Sequence, residues 1–583
     1  MANVILQKPV SRDWEEAYEE CMRLWSQVQL YRNTTAAQWE EVAELILPTS
    51  RNTFFYGNYN WPGQKKTDRQ VDASGMMALH RFAAICDSLL TPRNMTWHGL
   101  AASNDDVQKN RDVRLWFENV TRILFKQRYA PIANFAAQNQ NNYQSLGAFG
   151  TAGMFVDQAV GEDGKPLRAL RYKSVPLGEL YLMENHQGLV NGFIRWFRLT
   201  AQQAADLFGR DKLPEGLQEA QGAKSQTPHN FLHVVMPRKN FDPYRLDFKG
   251  KPFVSYYISL EARCVIEEGG YSTFPLAASR YDQTPGETYG RSPAMMVLPA
   301  LKTLNAQKRV FLKQGHRAGD PVLLTADDGL MDMNMTPGAI NTGGVNSDGK
   351  PLVHVLPTGD IQINKEMMDE EKALINDAFL VSLFQILTET PTMSATEVIE
   401  RTNEKGILLA PTVGRQQSEY LGPMIDREID LLSSMGLLPP MPGLLKEAKG
   451  EYDTVYTSPL SRAARAQEVA GFLRTVEGVK ELVNITQDMS LMDPFDFDTA
   501  IPAMAEIQAV PESWMASDQK IAQKRQARAQ ATAKQQQIQA MPAQAAMMKA
   551  QAAVAPQGQP QQGGPPQAGP AGPPGPGGPP QQG

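Results

Sequence analysis

The sequence predicts an α+β fold that is mainly helical. Apolar residues recur at helical spacing through the first 150 residues and again between 291 and 436, whereas 152–265 carries short apolar or alternating runs separated by turn residues. At 583 residues the chain is too long for one core, so several domains are expected, and a hydrophobic content of 42% suffices to give them interiors.

In chain order, residues 12–47 read as two helices. Trp14, Tyr18 and Met22 share one face, Trp39, Val42, Ala43 and Ile46 another, and Pro48 ends the second. The aromatic residues Phe54, Phe55, Tyr56, Tyr59 and Trp61 read as packing around an irregular segment, with a partner surface as the alternative. Helices are expected at 70–90, 113–128 and 134–146, the first with Met76, Met77, Leu79, Phe82, Ala83 and Cys86 mostly on its buried side. Strands are expected at 168–175, 192–197, 232–236 and 253–260, with a short helix capped by Thr200 and Gln203 and running through Phe208.

The stretch 291–436 organises the rest. Ser292 and Pro293 start a helix, because Ser caps orphan N–H groups and Pro fits the first helical position; it should reach about Arg317. Val297, Leu301, Leu304 and Phe311 form its apolar stripe. Lys302, Arg309, Lys313 and Arg317 form a basic stripe, read either as a solvated face or as one meeting DNA or a neighbouring subunit. Residues 318–361 carry turn signals at Pro337-Gly338, Gly343-Gly344 and Asp348-Gly349 and read as a small β insert. A second helix over 364–387 has an acidic stripe of Glu366, Glu370 and Asp377. Opposite stripes can pair across subunits, and since exposed pairs contribute only about 0.2–1 kcal/mol each, they set register more than strength.

A break follows at Thr388, Glu389, Thr390, Pro391, Thr392 and Met393. Ser394 and Glu397 then match a capping box, opening a long helix toward Met435 with kinks expected at Gly406, Pro411, Gly414 and Gly422-Pro423. Beyond it lie a Pro-rich stop at 438–442, a strand at 452–456, helices at 461–482 and 497–507, and an Ala/Gln helix at 517–539 bearing Lys520, Lys524, Arg525, Arg528 and Lys534. Residues 541–583, rich in Ala and Gln and then in Pro, Gly and Gln, cannot bury enough apolar surface to fold, and their four collagen-like Gly triplets are too few for a triple helix.

No catalytic, cofactor or metal site is expected. Residues 344–351 nearly spell a phosphate-binding loop, but Pro351 stands where Ser or Thr must reach magnesium, and Asp348-Gly349 reads better as a hairpin turn. The seven His include no HExxH, and no GxSxG occurs. Asp327, Asp328 and Asp332 read as an exposed acidic loop, with cation binding as the alternative. Cys21, Cys86 and Cys264 are far apart and lack CxxC spacing, which suits a reducing cytosol. The N-terminus lacks the pattern of a secretion signal, and no apolar run reaches a membrane span, so an aqueous location is expected. A net charge of −6 argues against a DNA-wrapping surface over the whole chain, and a conduit should avoid tight phosphate contacts that retard passage.

Three motifs then carry a resemblance. Tyr289, Gly290, Arg291, Ser292 and Pro293 precede a helix; Met393, Ser394, Ala395, Thr396, Glu397, Val398, Ile399, Glu400 and Arg401 follow the break; Tyr456, Thr457, Ser458, Pro459 and Leu460 come later. With Trp97 after Leu89, Leu90, Thr91 and Pro92, and Arg195 ahead of the Thr200–Gln203 cap, these resemble the portal, or head-to-tail connector, proteins of short-tailed, podovirus-type bacteriophages. The match runs in order from about Trp14 to Gln530. The resemblance implies a wing (1–290), stem helices (291–317 and 363–387), a clip (318–362), a tunnel loop (388–393), a long kinked wing helix and strand (394–462), crown helices (463–540) and a disordered tail (541–583). It also implies a non-enzymatic ring of twelve copies at one capsid vertex, in a virion assembled in the host cytoplasm. Double-stranded DNA would pass through non-specifically, with the terminase large subunit, a tail adaptor, and the major capsid and scaffolding proteins as partners. Asp327, Asp328 and Asp332 would lie where motor and adaptor dock, and the basic helix with Lys520, Lys524, Arg525 and Arg528 would lie in the crown, either facing DNA or solvated. The alternatives are another virion protein, such as a tail adaptor or internal core protein, and a nucleotide-driven enzyme, which Pro351 disfavours.

Overall fold

The computed structural model describes residues 12–57, 63–161, 164–219, 225–325, 334–357, 361–382, 411–457, 459–507, 510, 514–517 and 519–534. Helix outweighs strand, 52% against 19%, so the chain is a mixed, mainly helical α+β protein. It divides into two compact units, Met1–Glu512 and Ser513–Gly583.

The first unit opens with α1 (Arg12–Leu45), α2 (Ser74–Leu90), β1 (His98–Ala102), α3 (Asp105–Gln108), α4 (Arg111–Arg128) and α5 (Phe135–Phe149). One helix stands where two were expected. Asn33, Thr34 and Thr35 are weak helix formers, but no Gly or Pro interrupts the run, and each half is held by its own core. Cys21 and Trp25 pack with Ile194, Leu232 and Ile258, whereas Trp39, Val42 and Ile46 join the central cluster. Between the two faces, the buried Arg32 guanidinium donates to the carbonyls of Phe54, Leu177 and Gly178 at 2.6, 2.8 and 3.0 Å.

Two antiparallel sheets follow. The strands β2 (Thr151–Val160), β3 (Pro166–Val175), β4 (Leu180–Glu184) and β5 (Val190–Thr200) lead to α6 (Ala201–Phe208) and α7 (Glu215–Gln218), and then to β6 (Pro228–Pro237), β7 (Phe253–Ser259), β8 (Cys264–Tyr271) and β9 (Leu276–Arg280). Their orders are β4-β5-β6-β7-β8 and β3-β2-β9. The expected cap forms at α6: the Thr200 hydroxyl accepts from the Gln203 amide, and the Gln203 side chain returns the bond.

Next come α8 (Pro293–Met296), α9 (Leu298–Gly319), β10 (Leu323–Thr325), β11 (Val353–Val355) and α10 (Ile361–Ala378). The second rod, expected to run to 387, ends its described helix at Ala378, and Leu380, two residues on, has a left-handed backbone.

 That left-handed residue, φ 61°, turns the chain out of the helix. The fold closes with α11 (Gly422–Ser434), α12 (Gly443–Glu447), β12 (Tyr452–Tyr456), α13 (Pro459–Thr486) and α14 (Phe497–Ile507). Strand β1, which the sequence did not announce, pairs antiparallel with β12 from His98↔Tyr456 to Ala102↔Tyr452, tying the N-terminal helices to the chain beyond α11.

Helical residues 411–415 and a π turn, Gln416–Leu421, run into α11 without a break. Pro423 has no N–H to give the Glu419 carbonyl and its ring crowds that carbonyl, so a widened turn just ahead of it relieves the clash. The Gly422 amide bonds instead to the Gln417 carbonyl, which also accepts from the Tyr456 hydroxyl at 2.9 Å. The kink expected at Gly422-Pro423 is therefore a change of helical pitch. The expected positions Gly406 and 394–410 lie outside the described residues.

Candidate functional surfaces

The described residues Tyr289 to Pro293, Trp97 and Arg195, which carried part of the resemblance, are structural anchors. Tyr289 accepts the Leu182 amide at its hydroxyl, 3.1 Å away. Gly290 lies against Gly150 so closely that a Cβ on it would sit 2.4 Å from the Gly150 carbonyl oxygen, which only glycine permits. Arg291 pairs with Glu287 and reaches Gln38 at 3.1 Å. The Ser292 hydroxyl donates to Ala148 O at 2.9 Å and caps the helix by accepting from Met295 N at 3.0 Å. Together they fix the direction in which α8 and α9 leave the body. Trp97, fully buried, bonds to the Tyr129 hydroxyl and lies 4.6 Å from the Arg128 guanidinium; Arg195 pairs with Glu179 at 2.8 Å.

From that anchor α9 runs outward. Val297, Leu301 and Leu304 of the expected apolar stripe are buried in the central cluster, and Phe311 packs against it. Beyond Leu304 no described residue of α9 is buried. Helix α10 packs beside it, with Met368 and Ile375 buried, and the Asn364 amide donates to the Gln314 side-chain oxygen, which places 364 and 314 at one level of the pair.

The charged stripes lie on the outside. Lys302, Arg309, Lys313, Arg317, Glu366, Glu370 and Asp377 are all exposed. Lys302 pairs with Glu41 at 2.7 Å and Arg309 donates to the Arg69 carbonyl at 2.6 Å, so the lower part of the basic stripe clasps the chain's own N-terminal region. Among the described residues no ion pair joins the basic stripe of α9 to the acidic stripe of α10.

At the far end, β10 and β11 form an antiparallel pair, Leu323↔Val355 to Thr325↔Val353. Asp348-Gly349 makes the expected turn: Gly349 has φ 75° and donates to the Asn346 carbonyl at 2.9 Å. None of the described residues from 320 to 357 is buried, and Val322, Leu324, Ile340, Val345 and Val355 are about half exposed or more. This turn has no helix behind it, unlike a phosphate-binding loop. Asp327, Asp328 and Asp332, and the break residues Thr388 to Met393, lie outside the described residues.

Sequence reasoning missed the buried charge networks that lock the long helix to the body. Arg128 of α4 and Glu428 of α11 are both fully buried, joined by bonds of 3.0 and 2.5 Å, and the Tyr172 hydroxyl donates to Glu428 at 2.6 Å. Burial opposes the Arg128 charge, but the Glu428 carboxylate outweighs it and holds the guanidinium above its usual pKa. Arg280 likewise pairs with Glu184 and Glu419, and Arg427 with Asp157 and Asp430. Their partners stand up to 300 positions apart, so no local pattern could reveal them. Burial pushes the Cys21 and Cys86 thiols up to about 12, which leaves scarcely any reactive thiolate at neutral pH.

A rigid body that anchors an extended helix pair and an unburied hairpin belongs to an architectural protein built to present surfaces. The chain belongs to the bacteriophage head to tail connecting protein family, whose model matches residues 18–515. It is 27% identical to a probable portal protein of Bordetella phage BPP-1 over 527 residues, spanning 87% of this chain and 90% of the relative. It is also 27% identical to the portal protein of Salmonella phage epsilon15 over 508 residues, spanning 85% and 88%. Among solved structures, a chain of the virion of a native gene transfer agent particle aligns at 11% identity over 70% of this chain and 86% of that one, with a TM-score of 0.32, too slight to carry an argument.

Proposed function

We propose that the chain is the portal subunit of a phage virion, closing into a ring at one capsid vertex through which the genome is packaged, retained and ejected. One observation carries this beyond family membership: the α9–α10 pair buries its apolar stripe at the base and leaves complementary charged stripes outside, with no ion pair between them among the described residues. Rotation about a ring axis preserves height, so Lys313 of one copy would meet Glu366 of the next near the level that Gln314 and Asn364 share. The hairpin, burying nothing by itself, would gain its contacts from neighbouring copies and from the docked motor or tail.

In this reading 291–317 and 363–387 are the stem, 318–362 the clip and 388–393 the tunnel loop, with a ring of twelve copies. The terminase large subunit would supply the energy, and the portal would supply geometry and docking surfaces for it, for the tail adaptor, and for the capsid and scaffolding proteins. Negative-stain electron microscopy of the purified chain tests the ring. Lys313→Glu should lower the yield of closed rings, and adding Glu366→Lys should restore it. Ring yield unaffected by the first change would rule out this stem contact.

A further inference from the structure

The helix at 519–534 in the second unit carries its charge on one side. At 100° per residue, Lys534, Lys520, Lys524, Arg528 and Arg525 fall within half its circumference, while Ala522, Gln526, Ala529, Gln530 and Ala533 occupy the other half. Every residue of it is exposed except Ile521, which is half-buried. Ser517 starts it, its carbonyl accepting from the Ile521 amide at 2.8 Å and its hydroxyl from the Lys520 amide at 3.3 Å. The charge asymmetry extends to the end of the chain. Six of the 57 Lys and Arg, and none of the 63 Asp and Glu, lie at 519 or beyond, which gives +6 there and −12 in the rest of the chain.

We infer that this basic face binds the phosphate backbone of double-stranded DNA without reading its sequence. Five cations spread over 14 helical steps, about 21 Å, lie along a length of duplex that carries roughly a dozen phosphates. Most of those phosphates keep their counterions, so the contact is weak and mobile and suits DNA that must move. Three of the five charges are Lys, which meet phosphate as point charges, so charge and not an array of base-reading forks dominates the face. A lipid surface does not fit, because the opposite face offers Ala and Gln where a membrane-seeking helix needs Leu, Phe or Trp. The remainder of the chain, at −12, would repel the same duplex and confine contact to this segment. The presence of DNA rests on the portal reading; the binding face does not.

The test measures fluorescence anisotropy of a labelled 30-base-pair duplex of random sequence with the full-length chain, at graded salt. The wild type should bind with a log–log salt slope of up to about −4.5, from five phosphate contacts at about 0.9 each. The variant K520Q/K524Q/R525Q/R528Q/K534Q should bind at least tenfold more weakly with a slope near zero, and Q523A/Q526A/Q530A should bind as the wild type does. Equal binding by the fivefold variant would overturn the inference, as would vesicles of anionic phosphatidylglycerol competing as well as unlabelled duplex. Micrographs of the same samples separate the two readings. Rings with no duplex binding would sink the DNA face alone, and duplex binding without rings would sink the portal reading alone.

Discussion

Arg128, Glu428 and Tyr172 show how a single buried charge joins distant parts of the chain. The pair is fully desolvated, so its worth depends on every bond being made. Glu428→Gln should cost about 3–5 kcal/mol in chemical denaturation, because it leaves the Arg128 guanidinium buried without a counter-charge; Arg128→Met with Glu428→Met should recover most of that loss. Two histidines give the acid limb. His98 stacks on Phe125 beside Arg128, and burial first, then that guanidinium, holds its pKa well below the ordinary value. His233 stacks on Tyr257 with centroids 4.2 Å apart, and burial, aided by Arg195, lowers it to about 3. Both are neutral in the fold and bind a proton more readily once unfolded, so their contribution is complete above about pH 6.5 and is lost as pH falls below it. Urea midpoints from pH 7 to 4 should fall more gently for His98→Phe than for the wild type, by up to about 1.4 kcal/mol per pH unit in the slope.

The α9–α10 pair divides into a part the monomer needs and a part it does not. Leu304 is 1% exposed and sits in the central cluster, so Leu304→Ala should cost about 2–5 kcal/mol in thermal or urea unfolding. Leu312, 43% exposed one helical stretch further out, should cost within about 0.5 kcal/mol when changed to Ala, and any effect it has should appear in ring assembly instead. Much of this was legible in the sequence. Ser292 and Pro293, Thr200 and Gln203, and Asp348-Gly349 all act through bonds to residues a few positions away, and they form as expected. The merging of two expected helices into α1 and the pairing of β1 with β12 were not legible, because each depends on a distant surface.

For the whole molecule, the central expectation is geometric. Deleting Thr390 to Thr392 should leave rings intact and impair DNA packaging or retention, measured as full against empty capsids. If such rings fill and hold DNA normally, 388–393 is not the tunnel loop. The body resists distortion because ion pairs tie α11 to α4 and to β2, and tie the π turn ahead of it to Arg280 of β9, which also meets Glu184 of β4; this gives the helix pair a firm base from which to extend.

The sequence by itself determined where most helices begin, that 152–265 is strand-rich, that the two rods carry opposite charge, and which family the chain resembles. These are local or periodic properties, encoded in residues close together along the chain. Only the tertiary structure decided that Tyr289 to Pro293 and Trp97 are anchors, that part of the basic stripe is occupied by Glu41 and Arg69, and that Arg128 meets Glu428. Such contacts form between residues brought together by packing, and neither spacing nor composition carries a trace of them.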